Sequence, residues 1–189
     1  MKSKPLIVGI TGAFGSGKST AADFLEKRGY KKIILSSFLE VEARKRGIKK
    51  VTRKILQDIG NEWREKYGKD ILAKKTIKLL GKENPHNIII DGIRNLGEVE
   101  EFRKNSKFIM VAIVVNRKIR FERLKFLKRR EKLTWELFEK LDKRDLGVGE
   151  KQSGLQVAFC IASADIFIDN NGGVEDFRDK INTFLNNEK

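Results

Sequence analysis

Apolar positions fall along this chain in short uninterrupted runs, separated by longer stretches in which they recur at helical spacing. Leu6-Ile7-Val8-Gly9-Ile10 is one such run. It ends in a glycine-rich turn, after which Ala21, Phe24 and Leu25 share one helix face, so strand, loop and helix are predicted in that order. Ile33-Ile34-Leu35 predicts a second strand, and Ser36-Ser37 are placed to cap a helix through Phe38, Leu39, Val41 and Ala43 that stops at Gly47. Val51 to Leu80 predicts two helices, broken near Tyr67-Gly68-Lys69-Asp70. After the turn signal Asn84-Pro85-His86-Asn87, the run Ile88-Ile89-Ile90 ends on Asp91, as in a strand covered on both faces. Phe108 to Val115 repeats that pattern. Arg117 to Lys132 predicts a strongly basic helix with Phe121, Leu124 and Leu127 on one side, and Ile166-Phe167-Ile168 precedes a closing helix from Val174 to Leu185.

Strands alternating with helical stretches imply right-handed crossovers and a parallel sheet between two helix layers, an α/β architecture. A chain of 189 residues holds one ordinary core, so 1–189 is expected to form a single domain. The segments about 37–80 and 128–155 carry helical material beyond the minimal alternation. They suit an acceptor-binding segment and a lid over a site at the carboxyl ends of the strands.

Composition then narrows the partners. Apolar residues make up 40% and charged residues 35%, a globular balance. The excess of 41 Lys+Arg over 26 Asp+Glu, net +15, attracts anions: a nucleic acid, an acidic lipid surface or a phosphorylated small molecule. No run approaches the roughly 18 apolar residues of a membrane span, and the residues before the glycine loop are too few for a secretory signal. Cys160 is the single cysteine and His86 the single histidine, which excludes an internal disulfide and a Cys/His metal cluster. A soluble cytoplasmic protein is expected.

The pattern G-x-x-x-x-G-K-[ST] is met by Gly12-Ala13-Phe14-Gly15-Ser16-Gly17-Lys18-Ser19, followed by Thr20, between a predicted strand and a predicted helix, where its mechanism requires it. Its glycines let successive N–H groups aim inward at a helix N-terminus, a nest for phosphate. Lys18 is placed to reach the β- and γ-phosphates of ATP, and the Ser19 hydroxyl to ligate Mg²⁺. Asp91 is the candidate second carboxylate near Mg²⁺, because a parallel strand beside the first delivers it to the same edge. Gly92 follows, where many hydrolytic P-loop ATPases carry a water-activating glutamate, and its presence favours transfer over hydrolysis. Phosphoryl transfer also needs positive charge around the moving group. The candidate lid arginines are Arg123 and Arg130 on the basic helix and Arg144 beyond it. For the acceptor, Arg44 and Arg94 are the best anion ligands by position, with Arg53 a weaker third.

The opening Val8 to Thr20 resembles the start of dephospho-CoA kinases, and Ala164-Asp165-Ile166-Phe167-Ile168-Asp169-Asn170-Asn171-Gly172 resembles their last strand and turn. The middle, Asp91-Gly92-Ile93-Arg94-Asn95-Leu96-Gly97-Glu98-Val99-Glu100, is similar to a dephospho-CoA-kinase-like group and distantly to the Asp-Gly-Phe-Pro-Arg element of adenylate kinases. The chain thus looks like the nucleoside monophosphate kinase and dephospho-CoA kinase branch of P-loop proteins. The resemblance implies a five-stranded parallel sheet of order 2-3-1-4-5, a small helical lid bearing arginines, and Arg94 as a ligand of substrate phosphate. It also marks a departure: where dephospho-CoA kinases carry Asp-x-Asp after the second strand, this chain has Ser36-Ser37, whose hydroxyls can contact an acceptor but are poor bases. Either another carboxylate serves, or the acceptor is already a phosphate. The competing reading is a nucleic-acid-associated NTPase or switch whose basic helix, nine Lys/Arg against two Glu, tracks a phosphate backbone.

Overall fold

The structure is a computed structural model that describes residues 6–83, 85, 87–105, 107–126 and 133–187. Five parallel strands form one sheet in the order β2-β3-β1-β4-β5: β1 (Leu6–Thr11), β2 (Lys31–Ile34), β3 (Asn87–Asp91), β4 (Lys107–Val114) and β5 (Ile166–Asp169). The central strand β1 lies between β3 and β4, with Ile10 beside Asp91 and Val111. Both faces of the sheet are covered, which is why the central strands read as unbroken apolar runs. Ile7, Ile88, Ile90 and Met110 point to one face; Val8, Ile10, Ile89, Val111 and Ile113 point to the other.

The first face is covered by α2 (Leu35–Lys45), α3 (Arg53–Tyr67), α4 (Ile71–Glu83), α5 (Leu96–Asn105) and the short α8 (Val157–Ala162). The second is covered by α1 (Lys18–Glu26) and α9 (Val174–Asn187), whose Phe177, Ile181 and Phe184 meet Ala21, Ala22 and Leu25. A third cluster stands at the carboxyl end of the sheet. There Phe14 of the glycine loop packs with Leu124 of α6 (Arg117–Phe126) and with Phe138 and Leu141 of α7 (Trp135–Leu146). The ordering of strands, the parallel sheet and the two helix layers are those expected.

Local details differ. Leu35 opens α2 instead of closing the second strand, so Ser36 and Ser37 sit inside its first turn and neither side chain caps it. The Ser37 hydroxyl instead donates back to the Ile34 carbonyl at 2.7 Å. Two threonines supply caps further on: Thr52 Oγ1 accepts from the Ile55 N–H, and Thr134 Oγ1 from that of Leu137. They set the starts of α3 and α7, and hence the placing of Arg53, Asp142 and Asp145. The basic helix is described from Arg117 to Phe126; Arg130 and the adjoining part of the expected lid lie outside the described residues. Among the described residues no helix is long and apolar enough to cross a membrane.

Candidate functional site

The carboxyl ends of β2 and β3, with the glycine loop that follows β1 as its floor, open on a cleft of about 740 Å³. Gly17 has φ +98°, and a Cβ there would collide with the side-chain amide of Asn170, which donates to the Ser16 carbonyl at 2.9 Å. Glycine is therefore demanded both by backbone sign and by space. The loop closes tightly, with the Ser16 N–H donating to the Ala13 carbonyl, and α1 begins at Lys18 so that its free N–H groups face the cleft. The Ser16 hydroxyl is buried with no hydrogen-bond partner among the described residues, beside the position a Gly12 Cβ would occupy.

Lys18 Nζ lies on the loop it belongs to, 2.6 Å from the Gly12 carbonyl and 3.0 Å from that of Ala13. Loss of hydration pushes its ammonium down to about 8, and the nearby Arg94 and Arg53 add to this while Asp145 and Asp91 oppose it. Ser19 Oγ donates to Asp91 Oδ2 at 2.9 Å, joining the first turn of α1 to the tip of β3. A hydroxyl and a carboxylate side by side, next to a nest of N–H donors, form the hard-oxygen set that Mg²⁺ with a polyphosphate takes. The residues fit that pair of ligands. Gly92, with φ +92° and no atom within 4 Å of a hypothetical Cβ, puts no side chain after Asp91.

Two arginines converge on one side of the cleft. Arg53, the first residue of α3, lies over the Phe14 ring with its guanidinium carbon 4.0 Å from the centroid and reaches Asp145 Oδ2 at 2.7 Å. Arg94 reaches Asp145 Oδ1 at 3.5 Å from the turn between β3 and α5. That turn is held from several sides: Glu98 Oε2 accepts from the Arg94 and Asn95 N–H groups, and the Gln156 N–H donates to the Arg94 carbonyl. Glu98 is itself buried against Arg64, Nη2 to Oε1 2.8 Å. Ser36 and, one helical turn on, Glu40 line the same cleft.

Asp145 is fully buried on α7. Burial alone would raise its carboxyl, yet Arg53, Arg94 and Lys18 outweigh it and hold the group at about 2. Three residues earlier, the equally buried Asp142 takes Arg120, Nη2 to Oδ2 3.0 Å, and Arg120 Nη1 also donates to the Phe14 carbonyl at 2.8 Å. One helix thus braces both the phosphate loop and the two cleft arginines.

The other expected residues are placed as follows. Arg123 lines the cleft and donates to the carbonyls of Asn170 and Gly172 at 2.7 and 2.8 Å, fastening α6 to the loop before α9. Arg144 points away from the cleft and is paired with Asp58 at 2.6 Å and Glu150 at 2.7 Å. Arg44 and Ser37 are exposed on α2, and neither lines the cleft. Arg53, ranked third by position, is central instead. Asp142 and Asp145 belong to no motif, although Phe138, Leu141, Asp142 and Asp145 follow the spacing of one helix face and place both carboxylates on the apolar stripe.

Residues 8–146 match the family model described as an AAA domain. A UPF0200 protein of Thermococcus gammatolerans is 33% identical over 187 residues, covering 95% of this chain and 94% of its own. One of Sulfurisphaera tokodaii is 36% identical over 182 residues, covering 95% of each. A longer relative, the UPF0200/UPF0201 protein of Archaeoglobus fulgidus, is 34% identical over 183 residues, and the chain spans 54% of its length. Among solved structures, TT1252 from Thermus thermophilus superposes with a TM-score of 0.60 at 20% identity, covering 99% of this chain and 100% of that one. Shikimate kinase from Bacteroides thetaiotaomicron gives 0.59 at 14% identity, covering 97% and 98%. These likenesses show a P-loop kinase fold, and the sequence relatives are UPF0200 proteins, which supports a P-loop kinase-like family without specifying the nucleoside monophosphate or dephospho-CoA kinase branch. On 33% and 36% identity along nearly its whole length, with the phosphate-loop domain matched, the chain belongs to the UPF0200 family of P-loop proteins.

Proposed function

We propose that this protein is an ATP-dependent small-molecule kinase that moves the γ-phosphate to a nucleotide-like acceptor, dephospho-CoA or a (deoxy)nucleoside monophosphate. One observation carries the reading: Lys18, the Ser19–Asp91 pair and the two arginines Arg53 and Arg94 all line a single cleft, so donor and acceptor charges meet there. Residues 12–20 hold the triphosphate, and the Asn170–Gly173 loop with Arg123 borders the nucleoside end. Ser19 and Asp91 would hold Mg²⁺, which would supply positive charge against the transferring phosphates. Lys18 follows the transferring group, while Arg53 and Arg94 fix an anionic group of the acceptor so that its nucleophilic oxygen lies in line.

Side chains outside the motif support transfer over hydrolysis. Gly92 offers no carboxylate to activate water beside Asp91. The nucleic-acid reading leans on the basic helix, but within the described residues Arg117 pairs with Glu139 and Asp142, Arg120 is buried on Asp142, and Arg123 holds loop carbonyls. Those three arginines face the protein.

Purified protein with Mg²⁺-ATP, challenged with a panel of dephospho-CoA and nucleoside and deoxynucleoside monophosphates and read by product mass, tests the proposal. Gain of one phosphate on a panel member is the expected outcome. ATP binding with no transfer to any member sinks it.

A further inference from the structure

We propose that Asp145 is a positioning residue for the acceptor, which aims the Arg53 and Arg94 guanidiniums into the cleft and, by cancelling one of their two charges, keeps the pair from trapping an anion. The word acceptor rests on the kinase reading above; the arginine pair and its balance of charge do not.

The Asp145 side chain is 0% exposed, whereas those of Arg53 and Arg94 are 19% and 16% exposed. The carboxylate therefore touches no solute and acts only through its neighbours. It takes them with separate oxygens: Oδ2 meets Arg53 Nη2 at 2.7 Å, while Oδ1 faces Arg94 Nη1 at 3.5 Å and the Gln57 amide at 3.4 Å. Arg53 is fixed from a second direction by the Phe14 ring. A ring of the phosphate loop and a carboxylate of α7 thus set its plane, and the same carboxylate links it to an arginine from another element.

The charge balance has a kinetic consequence. Two mostly buried guanidiniums hold a phosphate or carboxylate by charge-assisted bonds that strengthen as the dielectric falls. Binding that is as strong before the transition state as in it lowers the concentration needed without raising the rate, and slows product departure. Asp145 leaves one net positive charge where two would stand, and it competes with the incoming anion for the same N–H groups. Orientation is kept while grip is moderated.

The test uses the full chain with its donor loop filled by Mg²⁺ and a non-hydrolysable ATP analogue, inorganic phosphate as the probe, and the arginine Nε–Hε resonances as the readout. In the wild type, phosphate should shift both Arg53 and Arg94. Asp145→Asn should bind phosphate at least threefold more tightly, while its kcat on any acceptor that the wild type phosphorylates falls tenfold or more. Asp58→Asn, which removes a carboxylate outside the cleft, should leave phosphate affinity within twofold. A merely structural Asp145 predicts that affinity and rate fall together, and phosphate affinity unchanged or weakened in Asp145→Asn overturns the proposal. If that variant does not fold, the wild-type Asp145 carboxyl carbon resonance decides: phosphate must move it, and a resonance that stays in place overturns the idea equally. Should the phosphate results hold while no acceptor is ever phosphorylated, the kinase reading falls and the role of Asp145 stands.

Discussion

The Ser19 hydroxyl donates to the Asp91 carboxylate across 2.9 Å, so residues 72 apart in sequence meet at one pair of oxygens on the edge of the cleft. Ser19 is exposed in the first turn of α1, and Asp91, 4% exposed at the end of its strand, has an isosteric amide replacement that still accepts from the Ser19 hydroxyl. Asp91→Asn and Ser19→Ala should therefore unfold at nearly the wild-type denaturant concentration. Each should raise the Mg²⁺ concentration for half-maximal activity by about 10- to 100-fold, the range seen when metal-supporting groups are lost. A magnesium titration of ATP turnover checks this, and an unchanged midpoint in Asp91→Asn removes that residue from the metal site.

Among the described residues Lys18 donates its hydrogen bonds to the Gly12 and Ala13 carbonyls of its own loop, so replacing it costs the fold little. Lys18→Ala should lower phosphoryl transfer on the order of 10³-fold, as for loss of a preorganised charge at the reacting group. Steady-state kinetics beside a thermal melt separates the two effects. Unchanged turnover would take the loop out of the chemistry.

Arg123 spans two carbonyls, of Asn170 and Gly172, with two prongs of its guanidinium. Lysine cannot reproduce that fork. Both Arg123→Ala and Arg123→Lys should weaken ATP binding by roughly tenfold, about 1.4 kcal/mol, measured by calorimetric titration. Full recovery in the lysine variant would show that charge alone matters there.

Much of this fold was legible because its strands are covered on both faces and so appear as unbroken runs, as at Ile88-Ile89-Ile90, and because the glycine loop carries its own spacing. The boundary at Leu35 was not. A residue that is 1% exposed reads the same whether it closes a strand or opens a helix, and an apolar run does not reveal where the backbone turns. The six residues of α8 are too few to show a period, and α5 buries only Val99 and Phe102 among its large apolar side chains. At the site, position along the chain favours Arg44 over Arg53, since Arg44 lies on the helix that follows the second strand. Which helix face each arginine occupies is set by packing: Ala43 and Leu39 take the core side of α2 and turn Arg44 outward. The buried carboxylates were readable in principle, because Asp142 and Asp145 stand on the apolar stripe of α7, a position acidic residues occupy only when paired.

Asp142 tests that last point in stability. Its carboxylate is fully buried against Arg120, which is 5% exposed and also holds the Phe14 carbonyl. Asp142→Ala leaves a buried guanidinium without its counter-charge and should cost about 3–5 kcal/mol in urea unfolding. A loss below about 1 kcal/mol would mean that water reaches Arg120 and that the pair does not brace the loop.

Asp145 makes the corresponding prediction in pH. Its folded carboxyl, pulled down to about 2 by Arg53, Arg94 and Lys18 against the effect of burial, lies below the value of 3.8 for a free aspartate, so the unfolded chain takes up that proton first. The group then contributes stability above about pH 4 and loses it as the pH falls from 4 towards 2, on the order of 2 kcal/mol across the window. Other paired carboxylates, Asp58 and Asp169 among them, are also held down and titrate over neighbouring pH values, so the wild type alone cannot assign the loss. The difference between wild type and Asp145→Asn does. Urea unfolding at pH 6, 5, 4, 3 and 2 should give a gap that is constant from 6 to 5 and narrows steadily below 4. A gap that stays constant down to pH 2 would mean that the Asp145 carboxyl is not held below its unfolded value, and that the arginines are oriented by Phe14 and the β3–α5 turn without it.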